Sequence, residues 1–358
     1  MRVVYLGPSD FSRWDQLVAS HPAGSAYYHR LWLRVLERAF PCEAFCLGCE
    51  DTTGQLQGIL PLCWTSGWLS GSWLCSLPHT PFAGALTTCV EAELALVRAA
   101  VDLVHERPGA WLQLRPPFQT NFPLPELVEH PAMCTHTLRL PSRPSELRFG
   151  SRRNHHCVKT AFRKAANLGV RVQRAETQQD LRRWYRLYLE TMRAHAAAPL
   201  PYSFFVAVWE LMVPAGLAWL LLAQKAAAGN HGVIAGTLYF GFGSTMLAVK
   251  TGRSFKWLAL RPNEALHWSA IHEACESGFR YYDFGESPDE NQGLARFKSK
   301  WGAEARRLYR YGSSTSRDVK RIAGSWRSGP IHRLAAGLWR AMPLTATQFA
   351  GAWIYRHV

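Results

Sequence analysis

Asp283, Glu286 and Lys298 stand out among the eight titratable side chains of residues 283–304, DFGESPDENQGLARFKSKWGAE. Asp283 and Glu286 flank Gly285 at the end of a strand-like run, YYDFG. The second half reads as a short helix that stops at Gly302. Leu294, Phe297 and Trp301 fall at i, i+3 and i+7 and share one apolar stripe. Lys298 is i+4 from Leu294 and i−3 from Trp301, so it lies in that stripe, whereas Arg296 and Lys300 point elsewhere. A lysine among core-facing residues has two readings. Either its stem packs on Trp301 while its head reaches water, or its charge is kept there for chemistry.

A second constellation lies on the helix expected over 151–167. Val158, Ala161, Phe162 and Ala165 form its apolar stripe. Arg152, His156, Lys159 and Arg163, spaced 4, 3 and 4 apart, make one basic ridge on the far side. Such a ridge suits a diphosphate or an RNA backbone, because a guanidinium binds two phosphate oxygens at once. A solvated basic face with no ligand is the other reading. Ser151 is placed to cap this helix. No aromatic RNA-reading strand is visible, so any RNA contact would be to phosphate and shape.

Other chemistries find no support. Cys46 and Cys49 fall on an expected strand, where i and i+3 point to opposite faces, so with Cys42 they make no metal grip. His155 and His156 are about 100° apart on a helix. No G-x-S-x-G elbow, P-loop or G-x-G-x-x-G is present. The site is expected to hold no metal.

The elements that must carry these residues alternate in type. Strand-like runs FCLGCE, QLQGILPLCW, GSWLCSLPHT and WLQLRPP surround the helix EAELALVRAAVDLVHERPG, and residues 27–40 form an amphipathic helix closed by Pro41. THTLRL, at 135–140, is a further strand before the break PSRPSE. Beyond it come strands VRVQRA, LAWLLLAQ, GVIAGTLYFGFG and STMLAVKTG. With them go helices DLRRWYRLYLETMRAH, SFFVAVWELMV and RPNEALHWSAIHEACESG, the last with Pro262 at its start and Gly278 at its stop. This is a mixed α/β pattern in both halves. At 358 residues the chain suits two domains. Its net charge of +15 points to an anionic partner. The apolar run Val206–Ala223 is broken by Glu210, Pro214 and Gly216, and reads as a helix and a strand rather than a membrane span. Nine cysteines without framework spacing and a first stretch without a signal-peptide core indicate a cytoplasmic setting.

Several segments resemble FemAB-type proteins of the GNAT acyltransferase superfamily. They are GILPL (58–62), SLPHTPFAGAL (76–86), LQLR (112–115), SRRNHHCVKTAFRKAANLGV (151–170), LRPNEALHWSAIHEACESG (260–278), YYDFGES (281–287), GLARFKSKWGAE (293–304) and LWRAMPL (338–344). The last resembles the ending of FemAB-like proteins linked to exopolysaccharide and exosortase systems. The resemblance implies two tandem GNAT-like domains, at 1–148 and 149–316, with a basic helical tail at 317–358. It implies transfer of an acyl or aminoacyl group onto an amine of a cell-envelope or exopolysaccharide precursor, with acyl-CoA or aminoacyl-tRNA as donor. The Phe297–Lys298 pair matches the family's active-site pair, and the ammonium would stabilise the oxyanion of ester or thioester aminolysis, a term of about 3–4 kcal/mol. Asp283 or Glu286 would hold the acceptor amine or take its proton. Asn263 and Glu264, at the helix start where GNAT proteins bring backbone donors to the acyl donor, would bind substrate with Arg152, His156, Lys159 and Arg163. There are two departures from the pattern. No charged heptad insert is present, so the coiled-coil arm of some Fem proteins is missing. LALRPNE stands where the Q/R-x-x-G-x-G/A pyrophosphate loop belongs. A non-catalytic GNAT-like module that binds an anionic glycolipid or RNA is the competing expectation.

The tail carries its own expectation. Leu334, Leu338, Trp339, Leu344, Phe349, Trp353, Ile354 and Tyr355 supply apolar and interfacial groups, and Arg327, Arg333, Arg340 and Arg356 supply charge. Pro343 divides it into two helices too short to span a bilayer. They would either lie on the inner face of an anionic membrane or pack back on the first domain.

Overall fold

A computed structural model of the chain describes residues 1–67, 71–120, 124–226, 232–313 and 330–357. In chain order its elements are β1 (Arg2–Tyr5), α1 (Phe11–Ser20), α2 (Arg30–Ala39), β2 (Cys42–Glu50), β3 (Leu56–Gly67), β4 (Gly71–Cys75), β5 (Leu86–Thr87), α3 (Val90–His105), β6 (Trp111–Leu114) and β7 (Leu127–Arg139). There follow α4 (Arg152–Asn167), β8 (Arg171–Arg174), α5 (Gln178–Ala194), α6 (Tyr202–Leu211), β9 (Ala218–Gln224), β10 (Val233–Phe242) and β11 (Thr245–Arg253). The last are α7 (Pro262–Glu276), β12 (Tyr281–Ser287), α8 (Gln292–Lys300), β13 (Glu304–Ser313), α9 (Pro330–Ala341) and α10 (Leu344–His357).

The chain divides into two compact units. One comprises Met1–Met133, Arg307–His332 and Trp353–Val358; the other comprises Cys134–Arg306 and Arg333–Ala352. These bounds differ from contiguous cuts near residues 148 and 316. Strands β7 and β13 each run through a boundary, and the Pro-rich break after Leu140 lies inside the second unit.

In the first unit the strand order is β1-β2-β3-β4-β6-β13, with β5 beside β3. Every pairing named is antiparallel except β4 with β6. The run ILPLCW of β3 is buried on both faces, which is why it reads as a continuous apolar run rather than an alternation. Leu96, Val97 and Val101 of α3 pack with Leu60, Leu62, Leu74 and Leu112 in one core cluster. Helix α2 begins at Arg30 rather than at Tyr27. Tyr27 and Tyr28 are buried in the core, and the His29 ring accepts from Leu31 N as the cap.

The second unit holds the order β7-β12-β11-β10-β9-β8. Strands β8 to β11 are antiparallel neighbours, β11 and β12 are parallel, and β12 is antiparallel to β7. Helices α4 and α7 contribute to a core cluster with Trp219, Tyr239, Tyr282 and Trp301. Helix α5 packs closely on β10 and β11, with Trp184 Nε1 donating to Gly236 O at 2.9 Å.

The helix signals in the sequence work as read. Asn154 N donates to the Ser151 hydroxyl at 3.2 Å, Val158 and Ala165 face inward, and α4 stops at Gly169 with φ +75°. Helix α7 starts with Pro262 and stops before Gly278, φ +79°. Helix α8 stops at Gly302, whose φ is +82° and whose missing Cβ would stand 2.6 Å from Gly150 N. Both facts demand glycine there, because the end of α8 rests on the entrance to α4. Gly302→Ala should therefore cost about 1–3 kcal/mol of unfolding free energy in urea; a neutral substitution would show that this contact does not order α8.

Candidate active site

Strand β12 changes partner and register where the titratable residues sit. It pairs with β11 at Tyr281, Tyr282 and Asp283, and that ladder ends there. Against β7, Asp283 opposes Thr137 and Glu286 opposes Thr135. Phe284 and Gly285 thus face the single residue His136, a β-bulge. Gly285 has φ +76°, and a Cβ on it would meet Ala248 O at 2.6 Å. The bulge turns two consecutive carbonyls, those of Gly285 and Glu286, toward α8.

Lys298 fills that position. It is only 4% exposed. Its Nζ donates to Gly285 O at 2.7 Å and Glu286 O at 2.8 Å. An ammonium has three hydrogens, and the third has no hydrogen-bond partner among the described residues. Burial lowers its pKa to about 8, with Asp283 and Glu286 pulling the other way, so the ammonium remains largely charged at neutral pH. The side chain therefore does more than pack its stem on Trp301.

Asp283 is buried on the same bulge. Its Oδ1 accepts from Thr135 Oγ1 at 2.5 Å and from Gly285 N at 2.7 Å. Thr137 Oγ1 lies 3.4 Å from its Oδ2. Burial raises its pKa, opposed by the Thr135 and Gly285 hydrogen bonds and by the Lys298 and Arg306 charges. Its visible work is to hold the bulge. Glu286 is half-buried and contributes its carbonyl to Lys298. Phe297 packs beside His267, with ring centroids 5.6 Å apart. His267 Nδ1 is 2.7 Å from the Tyr282 hydroxyl, and burial, with Lys298 adding to it, drives its pKa to about 3, so the ring is neutral.

Beside the bulge is a cleft of about 480 Å³. Gln292, Ala295, Arg296 and Ser299 line one wall; they fall at i, i+3, i+4 and i+7, the stripe of α8 next to the buried one. Cys134, His136 and Ser287 contribute from β7 and β12, and Asp289 lies 3.8 Å from Cys134 Sγ. His136 is 3% exposed, with Nδ1 3.5 Å from Ser287 Oγ. Burial and Lys298 lower its pKa, which keeps it neutral near pH 7 and able to accept a proton. Lys298 does not itself line this cleft; the two share the β12 segment Glu286–Ser287.

The remaining expected residues are elsewhere in the unit. Arg152, His156, Lys159 and Arg163 are all exposed on α4 and do not line the cleft. At the start of α7, Arg261 is left-handed at φ +59° and pairs with Glu264 at 3.3 Å. Asn263 Oδ1 is a buried atom without a partner among the described residues. Thr135, His136, Thr137, Cys134 and His267 were not singled out by sequence. The alternation in CTHTLR separates Cys134 and His136 from Thr135 and Thr137, but nothing local says which strand they meet. Among the described residues no group of three or more His, Cys, Asp or Glu is arranged to hold a metal ion.

Residues 151–299 match the family model described as an acetyltransferase (GNAT) domain. This segment has the GNAT fold. The match spans α4 to α8 and so contains the β12 bulge, Lys298 and most of the cleft wall. A search of curated proteins found no match. Solved structures share the fold at low identity. FemX has 16% identity and a TM-score of 0.67, over 90% of this chain and 99% of that one. The C-terminal domain (DUF2156) of a putative lysylphosphatidylglycerol synthetase from Agrobacterium fabrum has 12% identity and a TM-score of 0.58, over 89% and 96%. A tandem GNAT protein from the clavulanic acid biosynthesis pathway has 13% identity and a TM-score of 0.53, over 88% and 98%. The fold is thus the tandem GNAT arrangement with helices at its C-terminal end.

Two stability measurements probe the GNAT domain's bulge. Lys298→Met leaves two buried carbonyls without their donor, at about 1–3 kcal/mol each, so the variant should be measurably less stable as well as altered in chemistry. Between pH 8 and 10.5 the unfolded chain binds the Lys298 proton and the folded chain releases it. This group therefore makes stability rise with pH across that window, and urea titrations should show the rise weakened in Lys298→Met. The neutral His267 ring works in the opposite range. Its contribution is complete above pH 6.5 and drains as pH falls toward 3, because only the unfolded chain takes up the proton. His267→Phe should be less acid-labile over that window; equal acid lability would place His267 among ordinary solvated histidines.

Proposed function

We propose that the chain is an N-acyltransferase that moves an acyl or aminoacyl group onto an amine of a cell-envelope or exopolysaccharide precursor. The observation that carries this is the charged Lys298 beneath the β12 bulge, beside a cleft floored by the neutral His136. The family match and the fold likeness to a lysylphosphatidylglycerol synthetase domain support transfer of an acyl or aminoacyl group. In this reading the acceptor amine sits in the cleft, near Ser287 and Asp289. Its nitrogen bonds to the donor's carbonyl carbon, and the C–O bond of an aminoacyl ester or the C–S bond of an acyl thioester breaks. The amine proton passes to His136 through or beside Ser287, and the leaving oxygen or sulfur takes up a proton. Negative charge on the carbonyl oxygen is met by the Lys298 ammonium, whose third hydrogen is uncommitted.

The donor is an aminoacyl-tRNA or an acyl-CoA. Both are phosphate-bearing, and the exposed ridge of Arg152, His156, Lys159 and Arg163 is proposed as their path, with Asn263 and Glu264 at the start of α7 near the donor end. The acceptor is proposed to be an anionic nucleotide- or lipid-linked precursor. One specific observation favours a non-catalytic module that binds such a ligand. Lys298 spends two hydrogens on backbone carbonyls and is absent from the cleft lining.

Mass spectrometry of the purified chain, of its co-purified ligands and of its products with either donor and an amine-bearing precursor distinguishes the two. An amide-linked product is expected, and His136→Gln should lower kcat/KM by about 10²-fold or more without lowering the melting temperature. Ligand binding without transfer from either donor would establish the accessory reading. Donor affinity should fall steeply with salt, and reversing two ridge charges should flatten that slope; salt-independent binding would remove the ridge from the donor path.

A further inference from the structure

The last two helices leave several large apolar side chains in solvent. Helix α10 faces inward with small residues. Thr347 is fully buried, and a Cβ on Gly351 would stand 2.5 Å from Pro199 O, so α10 lies directly on that backbone. Two of its large residues face out, while Leu344, Ile354 and Tyr355 are half-buried. Phe349 is 75% exposed, the highest of the exposed large hydrophobics, and Trp353, at i+4 on the same face, is 51% exposed. Helix α9 repeats the pattern, with Ala336 buried and Leu338 66% exposed. Neither helix is loosely attached. Arg193 Nη1 donates to Met342 O at 3.1 Å, Arg340 Nε to Ala194 O at 3.2 Å, and the Tyr355 ring lies 4.7 Å from His79. Phe349 thus keeps most of its apolar surface in water.

The charge of the two helices is one-sided. Residues 330–358 contain Arg333, Arg340 and Arg356 and no Asp or Glu. The basic surface continues beyond α9. Arg253 and Arg340 both act on His195, whose ring is 6.5 Å from that of the exposed Phe255. Arg253 sits over Phe255, 5.4 Å from its ring centroid, and Lys256 over Trp257 at 5.2 Å. Phe255 opens the short 3-10 segment that leads directly into α7. Exposed aromatic and aliphatic groups on helices that also carry exposed Arg340 and Arg356 and no carboxylate match the headgroup region of an anionic bilayer, where Trp and Arg both find partners.

We infer that the outward faces of α9 and α10 dock this chain on an anionic phospholipid surface, with Leu338, Phe349 and Trp353 inserted and Arg340 and Arg356 among the headgroups. A helix of 14 residues is about 21 Å long, so it lies in the interface and does not cross it. No described helix is long and apolar enough to span a membrane. The docking is independent of the transfer chemistry. It would present the Phe255 edge and the start of α7 to ligands carried on the same surface.

Flotation of the full chain with phosphatidylglycerol vesicles and with phosphatidylcholine vesicles tests the docking. Binding to phosphatidylglycerol, weakened by salt, is expected, with at least a tenfold weaker partition onto phosphatidylcholine. The double variant Phe349→Ser/Trp353→Ser changes only exposed side chains, so its melting temperature should stay within a few degrees while vesicle binding falls at least tenfold. No flotation of the full chain at low salt would overturn the inference, as would undiminished flotation of the folded variant. Self-association that the variant abolishes, without vesicle binding, would assign the face to a second copy of the chain and overturn it equally.

Discussion

The hydrogen bonds from the Lys298 ammonium to the carbonyls of Gly285 and Glu286 are the interaction around which the second unit's site is arranged. A bulge exposes backbone groups that the sheet ladder would otherwise satisfy, and inside a protein such groups must find partners. One charged side chain supplies two donors at once. Burying that charge is costly, and the lowering of its pKa to about 8 expresses the cost. The fold tolerates it because two polarised carbonyls and the nearby Asp283 oppose the desolvation. Replacing the lysine by an apolar residue would remove the charge and leave the carbonyls stranded, so structure and chemistry are coupled at this position.

The same bulge places the other groups. Asp283 fastens it from the β7 side through Thr135 and Gly285 N, and Gly285 is the residue that the left-handed backbone and the nearby Ala248 carbonyl permit. On the opposite face of β7, His136 is set against the two bulged residues and opens on the cleft. Burial keeps His136 and His267 neutral, and the nearby Lys298 charge adds to it. In the proposed reaction, the fixed cation and the neutral proton acceptor would divide charge stabilisation from proton removal.

Much of this was legible in the sequence where the signal is local. Helical period put Lys298 in the stripe of Leu294, Phe297 and Trp301, and Gly302, Gly278 and Gly169 marked the helix stops. Pro343 likewise separates α9 from α10. What was not legible depends on pairing between distant segments. Thr135 meets Asp283 across 148 residues of chain, and THTLRL gives no sign that it belongs to a strand beginning at Leu127. Asp283 and Glu286 look equivalent in YYDFGES, yet the bulge buries one carboxylate among hydroxyls and uses the other residue's carbonyl. The division into units was obscured for the same reason, since β7 and β13 each contribute to both. The tail's outward apolar faces were hidden because its composition fits either packing or docking, and only the seating of Gly351 and Thr347 decides which side faces in.

The central claim is that Lys298 is a buried, charged ammonium committed to the bulge carbonyls. Heteronuclear NMR of the ¹⁵N-labelled lysine side chains measures this directly, with the Lys298 resonance identified by its loss in Lys298→Met. An ammonium signal protected from solvent exchange and titrating near pH 8 is the predicted result. A rapidly exchanging signal that titrates at the ordinary lysine value of about 10.4 would contradict it and leave the β12 bulge without its proposed role in transfer.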